Sequence, residues 1–161
     1  MHVEIFTGAR AVDSTDASRE WARAIVRDVL ATLPPDALVV VGDAAGVDRI
    51  VRSEVMRLGL RGEEYALDGN VYAVTPARNV LSQWARGDEV PRNDRDPRWR
   101  SWPLRRNDAM RDRVSRERVL GATAHGSALL WGESRGTLYT ADACARVGIV
   151  VTRYEPAEAG Q

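Results

Sequence analysis

Short segments with strand-like patterns alternate with longer amphipathic stretches along this chain. The short segments, most of them apolar, predict five strands at residues 3–6, 37–41, 63–67, 127–131 and 149–151. Between them, apolar residues recur at helical spacing, which predicts helices at residues 16–33, 47–58, 106–120 and 137–147. From the third helix, Met110, Val114 and Val119 are expected to face the core. Alternating strands and helices are typical of a parallel sheet covered on both faces. We therefore predict an α/β fold, a three-layer sandwich around a mostly parallel five-stranded sheet.

The alternation is interrupted between residues 68 and 102. This segment contains several prolines and three tryptophans, Trp84, Trp99 and Trp102. Its residues 74–84 are compatible with one helix, with Pro76 near the first turn. A long irregular segment inside a compact domain is usually functional, so we predict an inserted flap before the third core helix. The predicted organisation is one domain over residues 1–155 that includes this flap, followed by a disordered tail at residues 156–161.

The composition excludes several kinds of chemistry. The 161 residues include 23 basic and 23 acidic side chains, and a net charge of zero gives no global attraction to nucleic acid or anionic membranes. Every basic residue is arginine, which excludes lysine-based catalysis and a P-loop. Cys144, His2 and His125 have no metal-ligand spacing, so we expect no metal and no required cofactor. The first residues are typical of a strand and no apolar run approaches ~20 residues, so we predict a cytoplasmic protein without a signal peptide.

Glycine and small polar residues occur in four places where a helix should begin. Three of these places, residues 7–10, 42–48 and 132–137, directly follow a predicted strand, and the fourth is residues 105–108. In an open parallel sheet such turns meet at the carboxyl edge, where free N–H groups of helix starts favour phosphate. The sequence therefore predicts a pocket for a phosphate-bearing small molecule. The predicted ligand-binding residues are Thr7, Gly8, Ala9, Arg10, Gly42, Asp43, Gly46, Asp48, Arg106, Asn107, Gly132, Ser134, Arg135, Gly136 and Thr137.

The residues of the first two turns suit different parts of such a ligand. Gly8 would let the backbone approach it and Arg10 would clamp a phosphate, with an ordinary turn and a surface arginine as the alternatives. Gly42 and Gly46 bracket a loop suited to a phosphate or a ribose. Asp48 would either cap the following helix or accept a hydrogen bond from a ribose hydroxyl.

The other two turns offer a cation and an anion-binding backbone. Arg106 could reach an anionic ligand and Asn107 a base or sugar edge, unless both simply begin a solvated helix. The backbone of residues 134–137 can form an anion-binding concavity that opens a helix. This turn is the one best suited to direct ligand contact.

Taken in order, these turns resemble the SLOG superfamily, Rossmann-like proteins named after the Smf/DprA and Lonely Guy families. The likeness is closest to the YspA/YpsA-like branch, with its T-G-S-R, G-G-A-R-G-V-D-R, R-N and D-G-x-S-R-G-T motifs, whose places residues 7–10, 42–49, 106–107 and 132–137 take here. The resemblance implies a Rossmann-like fold, a binding module for a nucleotide or nucleotide-derived ligand, a sensor role in bacterial or phage conflict systems, and a homodimer. Under the flap, a base would stack on Trp99, Trp102 or Tyr139.

Departures from the family patterns leave an enzymatic function open. Asp43 and Ala45 stand where the branch commonly has glycine and arginine, and the added carboxylate and the lost guanidinium both weaken phosphate binding in the second turn. Lonely Guy phosphoribohydrolases carry a catalytic glutamate three residues after a G-T pair, and here that position is Thr140. Arg106 falls at their catalytic arginine, so the resemblance makes Arg106 and Glu133 the catalytic candidates, with Asp43 and Asp48 as other possible carboxylates. The first alternative function is therefore N-glycosidic hydrolysis of a nucleoside 5′-monophosphate.

A second alternative is single-stranded nucleic-acid binding of the DprA kind. Residues 86–118 hold 11 arginines and 7 acids with Trp99 and Trp102 among them, and arginine with aromatic side chains can grip a single strand. Mixed charge is more typical of a solvated face. We therefore expect a small-molecule partner, and neither nucleic acid nor a membrane.

Overall fold

The computed structural model describes residues 1–157, which form a seven-stranded sheet with four α-helices packed on it. Most of the tail predicted at residues 156–161 lies outside the described residues. The strands are β1 (His2–Gly8), β2 (Leu38–Gly42), β3 (Arg61–Tyr65), β4 (Asn70–Ala73), β5 (Val80–Gln83), β6 (Thr123–Leu129) and β7 (Val150–Tyr154). The helices are α1 (Asp16–Ala31), α2 (Val47–Leu58), α3 (Trp102–Val119) and α4 (Arg135–Arg146), with short 3-10 helices at Arg10–Ser14, Gly87–Glu89 and Trp99–Ser101.

The strand order is β5-β4-β3-β2-β1-β6-β7. Strands β3, β2, β1, β6 and β7 are mutually parallel, as the alternation of elements predicts. Strands β4 and β5 run antiparallel and extend the sheet beyond β3. The prediction of a five-stranded sheet is therefore wrong by two strands, and both come from residues 68–102.

A tight turn and β5 occupy residues 74–84, where a helix was predicted. The Arg78 N–H donates to the Thr75 carbonyl at 3.0 Å, and Arg78 has a positive φ of 50°. A residue in this left-handed region cannot continue a right-handed helix, and Pro76 suits the second position of a turn. The helix prediction is wrong because β4 offers the residues after the turn a strand partner.

Alternate side chains of the central strands face two separate cores. Val39 and Val41 pack with residues of α1 and α2, while Leu38 and Val40 pack with residues of α3 and α4. Every residue of β2 is buried because helices cover the sheet on both faces. The result is the three-layer α/β arrangement that the sequence predicts.

Two tryptophans fasten residues 68–102 to the edge of the parallel strands. Trp102 is completely buried and its Nε1 donates to the Leu67 carbonyl at 2.8 Å. The Nε1 of Trp84 donates to the Ala66 carbonyl at 2.7 Å, and the two ring centroids are 4.8 Å apart. The segment is thus packed beside β3 as a continuation of the sheet.

Helix α3 begins at Trp102, four residues before its predicted start. Met110 and Val114 face the core as predicted, but Val119 is 83 % exposed and its prediction is wrong. Val119 belongs to the last turn of α3, which extends past the part of the helix that packs on the sheet. Among residues 1–157, no helix combines the length and the apolar character that crossing a bilayer requires.

Candidate functional site

The end of β1, the start of α3 and the turn before α4 surround a cavity of about 340 Å³. It lies at the carboxyl edge of the parallel strands, and the turns that were predicted to converge meet there. Gly8 and Gly136, far apart in sequence, both line it. The predicted ligand-binding residues in the lining are Thr7, Gly8, Ala9, Arg10, Asp48, Arg106, Asn107, Ser134, Arg135, Gly136 and Thr137, and the catalytic candidate Glu133 joins them.

The lining also differs from the predicted set in both directions. Four predicted residues are not part of it, namely Gly42, Asp43, Gly46 and Gly132. The lining residues that sequence reasoning missed are all apolar, namely Phe6, Ala11, Ala44, Pro103, Leu104 and Met110. An apolar residue at a strand end carries no signal that separates core from pocket. Pro103 is different, because proline favours the first turn of a helix. Its position in the sequence therefore indicates the true start of α3.

The amino-terminus of α4 presents free donors to the cavity. Its N-cap, Ser134, donates its own hydroxyl to the Trp131 carbonyl at 3.3 Å and caps no N–H group. The first helical hydrogen bond runs from the Leu138 N–H to the Ser134 carbonyl at 2.9 Å. Within residues 1–157, the N–H groups of residues 135–137 therefore have no acceptor, and they lie at the positive end of the helix dipole. This is an anion-binding arrangement.

Nothing in the fold itself requires glycine at position 136. A Cβ added there would have no heavy atom within 4 Å, and the residue has no positive φ. Glycine inside a helix costs about 1 kcal/mol relative to alanine. The bare backbone at Gly136 therefore leaves open space next to the free N–H groups, where a ligand could approach closely.

The glycines of the first two turns are explained by packing. A Cβ on Gly8 would lie 2.4 Å from Val47 Cβ, so Gly8 lets β1 and α2 approach each other. Gly46 has a φ of 78°, and a Cβ there would lie 2.4 Å from the Ala9 carbonyl oxygen. Its N–H donates to Asp13 Oδ2 at 2.9 Å. The Val47 N–H donates to the Ala9 carbonyl at 3.4 Å, so the protein's own groups occupy these two N–H groups at the start of α2, whereas those of Asp48 and Arg49 have no acceptor within residues 1–157.

Arg106 is a buried cation held in one orientation. Its Nη1 donates to Asp43 Oδ1 at 2.5 Å, and its Nε donates to Asn107 Oδ1 at 3.2 Å. Asp43 Oδ2 also accepts the Leu67 N–H at 3.1 Å. Asp43 therefore positions Arg106, although it is not part of the cavity lining.

Asp48 is a buried carboxyl group on the cavity wall. Burial raises the pKa of Asp48 to about 6, although the Arg106 guanidinium nearby opposes this rise. Its Oδ2 accepts the Ala44 N–H at 3.1 Å. A Cβ on Gly42 would lie 2.7 Å from this oxygen and 3.1 Å from Arg106 Cζ, so Gly42 makes room for the pair. Asp48 can thus exchange a proton near neutral pH inside the cavity.

Two exposed arginines on the cavity lining complete its positive side. Arg10 and Arg135 form no ion pair with any group in residues 1–157, and neither does Glu133. Because guanidinium groups recognise phosphate through several parallel hydrogen bonds, Arg10 and Arg135 are available for an anionic ligand.

The aromatic residues predicted to stack on a base are elsewhere. Trp102 is buried beneath the segment, Trp99 borders a separate surface depression, and the Tyr139 hydroxyl donates to Asp108. None of the three lines the cavity. Thr140, at the place of the Lonely Guy glutamate, is buried and donates to the Gly136 carbonyl at 2.9 Å, away from the cavity lining.

Internal ion pairs neutralise part of the positive charge of residues 86–118. Arg98 pairs with Asp96, and Arg86 and Arg105 both pair with Glu89. Trp102 is buried, but Trp99 is 39 % exposed and borders a surface depression together with Arg95 and Arg100, which form no ion pair within residues 1–157.

Comparisons with known proteins identified no relative of this chain. No family model matches the chain, and no curated protein and no solved structure is significantly similar to it. Among the described residues, no group of three or more histidine, cysteine, aspartate or glutamate side chains could hold a metal ion.

Proposed function

We propose that this chain binds a nucleotide or nucleotide-derived phosphorylated ligand in the cavity at the carboxyl edge of its sheet. The observation that carries the proposal is the free amino-terminus of α4 beside the unpaired Arg10 and Arg135. A phosphate group would accept hydrogen bonds from the N–H groups of Gly136 and Thr137 while both guanidinium groups neutralise its charge. The SLOG-like order of the four turns supports the same ligand class.

The opposite wall of the cavity suits the uncharged part of such a ligand. The Oδ1 of Asn107 is occupied by Arg106, which leaves its amide NH₂ group to donate to a base or a sugar. Asp48 would accept a hydrogen bond from a ribose hydroxyl, and Leu104 and Met110 offer apolar contact. A volume of about 340 Å³ is at the lower end of the range for small-molecule pockets, which favours a mononucleotide over a dinucleotide.

Isothermal titration calorimetry against AMP, ADP-ribose, NAD, cyclic nucleotides and adenosine tests the proposal. We expect heat from a phosphorylated member and none from adenosine. Arg135→Gln and Arg10→Gln should each weaken binding by roughly ten- to a hundredfold, because each removes a charge-assisted contact. The matched control is Arg146→Gln, at the far end of the same helix, which should bind like the parent. If no phosphorylated compound binds, or if all three variants lose affinity equally, the proposal is wrong.

A second function, hydrolysis of the N-glycosidic bond of a nucleoside 5′-monophosphate, is favoured by the buried Asp48. A carboxyl group with a pKa raised to about 6 can protonate a leaving base as water attacks the sugar carbon. Arg106 lies next to it and would orient the substrate. Chromatography of AMP incubated with the protein would show adenine and ribose 5-phosphate if this reaction occurs.

The carboxylate variants separate the two possible acids of this reaction. Asp48→Asn should abolish release of the base, whereas Glu133→Gln, at an exposed position, should retain most of it. The opposite pattern would assign the role to Glu133, and the absence of free base from the parent protein would leave ligand binding alone.

We also propose a homodimer and a sensor role, both on the SLOG resemblance. Light scattering coupled to size-exclusion chromatography, with and without the ligand found by calorimetry, tests the dimer directly. A monomer under both conditions would contradict it.

A further inference from the structure

Glu4 differs from the other buried glutamates in its partners. Glu54, Glu63 and Glu64 each pair with at least two arginines, whose charge does not change with pH. Glu4 is 1 % exposed, and its ion-pair partners within residues 1–157 are two imidazoles, His2 and His125. These are the only two histidines in the chain. The compensation of this buried charge therefore depends on protons.

Glu4 and His2 lie on β1 and His125 lies on β6, and a contact from His125 extends the cluster to β7. Glu4 of β1 contacts His2 Nε2 at 3.0 Å and His125 Nδ1 at 2.7 Å, and it accepts the Ser127 hydroxyl at 3.1 Å. The second ring nitrogen of His125 contacts Thr152 Oγ1 of β7 at 2.8 Å. Glu4 and His125 are also direct cross-strand partners in the β1–β6 ladder. The cluster thus runs from β1 through β6 to β7.

We propose that Glu4, His2 and His125 form a proton-operated latch that fastens β6 and β7 to β1. With an imidazole protonated, the buried carboxylate faces a positive charge and the latch is closed. With both imidazoles neutral, a buried negative charge is left with uncharged donors only, which costs free energy. Loss of the proton therefore weakens the attachment of the two strands.

Protons can reach the latch from a solvent-open groove of about 530 Å³ between α1 and the β1–β6 surface. The other titratable groups that border the groove are Asp28 of α1 and the Tyr154 phenol of β7. Arg153 of β7 pairs with Asp142 of α4 and supplies no positive charge to Glu4. The hydrogen bond to Glu4 raises the pKa of His125, in agreement with a proton held in the cluster.

The raised pKa of His125 determines how the stability of the fold changes with pH. Because the folded protein binds the His125 proton more tightly than the unfolded chain, the stabilisation is complete below the ordinary pKa of 6.5. It is lost as the pH increases through the higher value of the folded state. The latch opens toward alkaline pH and closes toward acid. This inference does not depend on the proposed function.

Imidazole NMR tests the latch in the intact chain. With two histidines, the spectrum contains two Cε1–H signals, and His2→Gln removes one and assigns both. We expect the His125 signal to titrate above pH 6.5 in the parent protein and to move down in Glu4→Gln. An unchanged titration of His125 in Glu4→Gln would overturn the proposal.

Unfolding measurements provide the second test, and they also decide the matter if Glu4→Gln does not fold. Stability is measured by urea from pH 5.5 to 9 for the parent, His125→Gln and Thr152→Val. The advantage of the parent over His125→Gln should shrink as the pH rises, whereas Thr152→Val, which keeps the Glu4 contact, should follow the slope of the parent. A constant difference between the parent and His125→Gln at every pH would refute the latch.

Discussion

At the scale of single residues, glycines that look alike in the sequence have different physical roles. Gly8 and Gly46 avoid steric overlap with Val47 and with the Ala9 carbonyl, so the fold itself requires them. Gly136 has open space around its Cα and no unusual φ. Of these three positions, Gly136 is the one at which the absence of a side chain is not explained by packing or backbone conformation, and close approach of a ligand would explain it.

Replacing Gly136 by alanine should therefore separate binding from stability. We expect Gly136→Ala to leave the stability of the fold unchanged or to increase it by up to about 1 kcal/mol, because alanine is the better helix former. The added methyl group should weaken binding of the phosphorylated ligand at least about tenfold. Calorimetry and urea unfolding measure the two effects, and Gly87→Ala, another open glycine but remote from the cavity, is the control. Full affinity in Gly136→Ala would contradict close approach at this position.

Asp48 gives a second prediction at this scale, a change of stability with pH. Burial raises the pKa of Asp48 from 3.8 to about 6, so the folded state holds the proton more tightly than the unfolded chain. The stability present below pH 3.8 is lost as the pH rises through 6, by up to about 3 kcal/mol. Asp48→Asn keeps an acceptor for the Ala44 N–H and should lack this loss. Urea unfolding between pH 4 and 7.5 checks it, and parallel curves for the two proteins would contradict it.

At the scale of elements, the turns that precede α2 and α4 differ in how their helix N–H groups are used. At the start of α2, Asp13 of the 3-10 helix after β1 accepts the Gly46 N–H. No such side chain reaches the start of α4, whose N-cap turns its hydroxyl toward Trp131. Two N–H groups at the start of α2 also lack an acceptor, but the Asp13 carboxylate there would repel an anion and already pairs with Arg49. Anion binding is therefore expected at α4 more than at α2.

Substitution of Gly46, in the turn before α2, should destabilise the fold. Gly46→Ala places a Cβ 2.4 Å from the Ala9 carbonyl oxygen at a φ of 78°. We expect a loss of roughly 2–5 kcal/mol from steric overlap and left-handed strain. Urea denaturation measures it against Gly87→Ala, for which no loss of this size is expected. A Gly46→Ala protein as stable as the parent would show that the turn can rearrange.

At the scale of the whole molecule, residues 68–102 belong to the folded unit. The β4–β5 hairpin extends the sheet, and Trp84 and Trp102 hydrogen-bond to the backbone that follows β3. Helix α3 begins at Trp102 itself and supplies Arg106 and Asn107 to the cavity. The segment therefore helps to place the cavity wall without lining it.

Removal of the Trp102 side chain should weaken the entire fold. Trp102 is completely buried whereas Trp99 is 39 % exposed, so the two provide a matched pair. We expect Trp102→Ala to lower the free energy of unfolding by roughly 3–5 kcal/mol and Trp99→Ala by no more than about 0.5 kcal/mol. Chemical denaturation compares them. Equal effects would mean that the segment is not anchored through Trp102.

The sequence by itself determined the succession of parallel strands and helices along the chain, and the convergence of their turns at one edge of the sheet. Both depend on local periodicity and on the rule that parallel strands end at the same edge. Only the tertiary structure decided which N–H groups of these turns are free, since Asp13 accepts the Gly46 N–H from 33 residues away. It also placed β4 and β5 in the sheet, because a strand forms where a neighbour supplies hydrogen-bond partners, which local sequence does not reveal. The same holds for Glu4 and His125, which become partners only because β1 and β6 are adjacent.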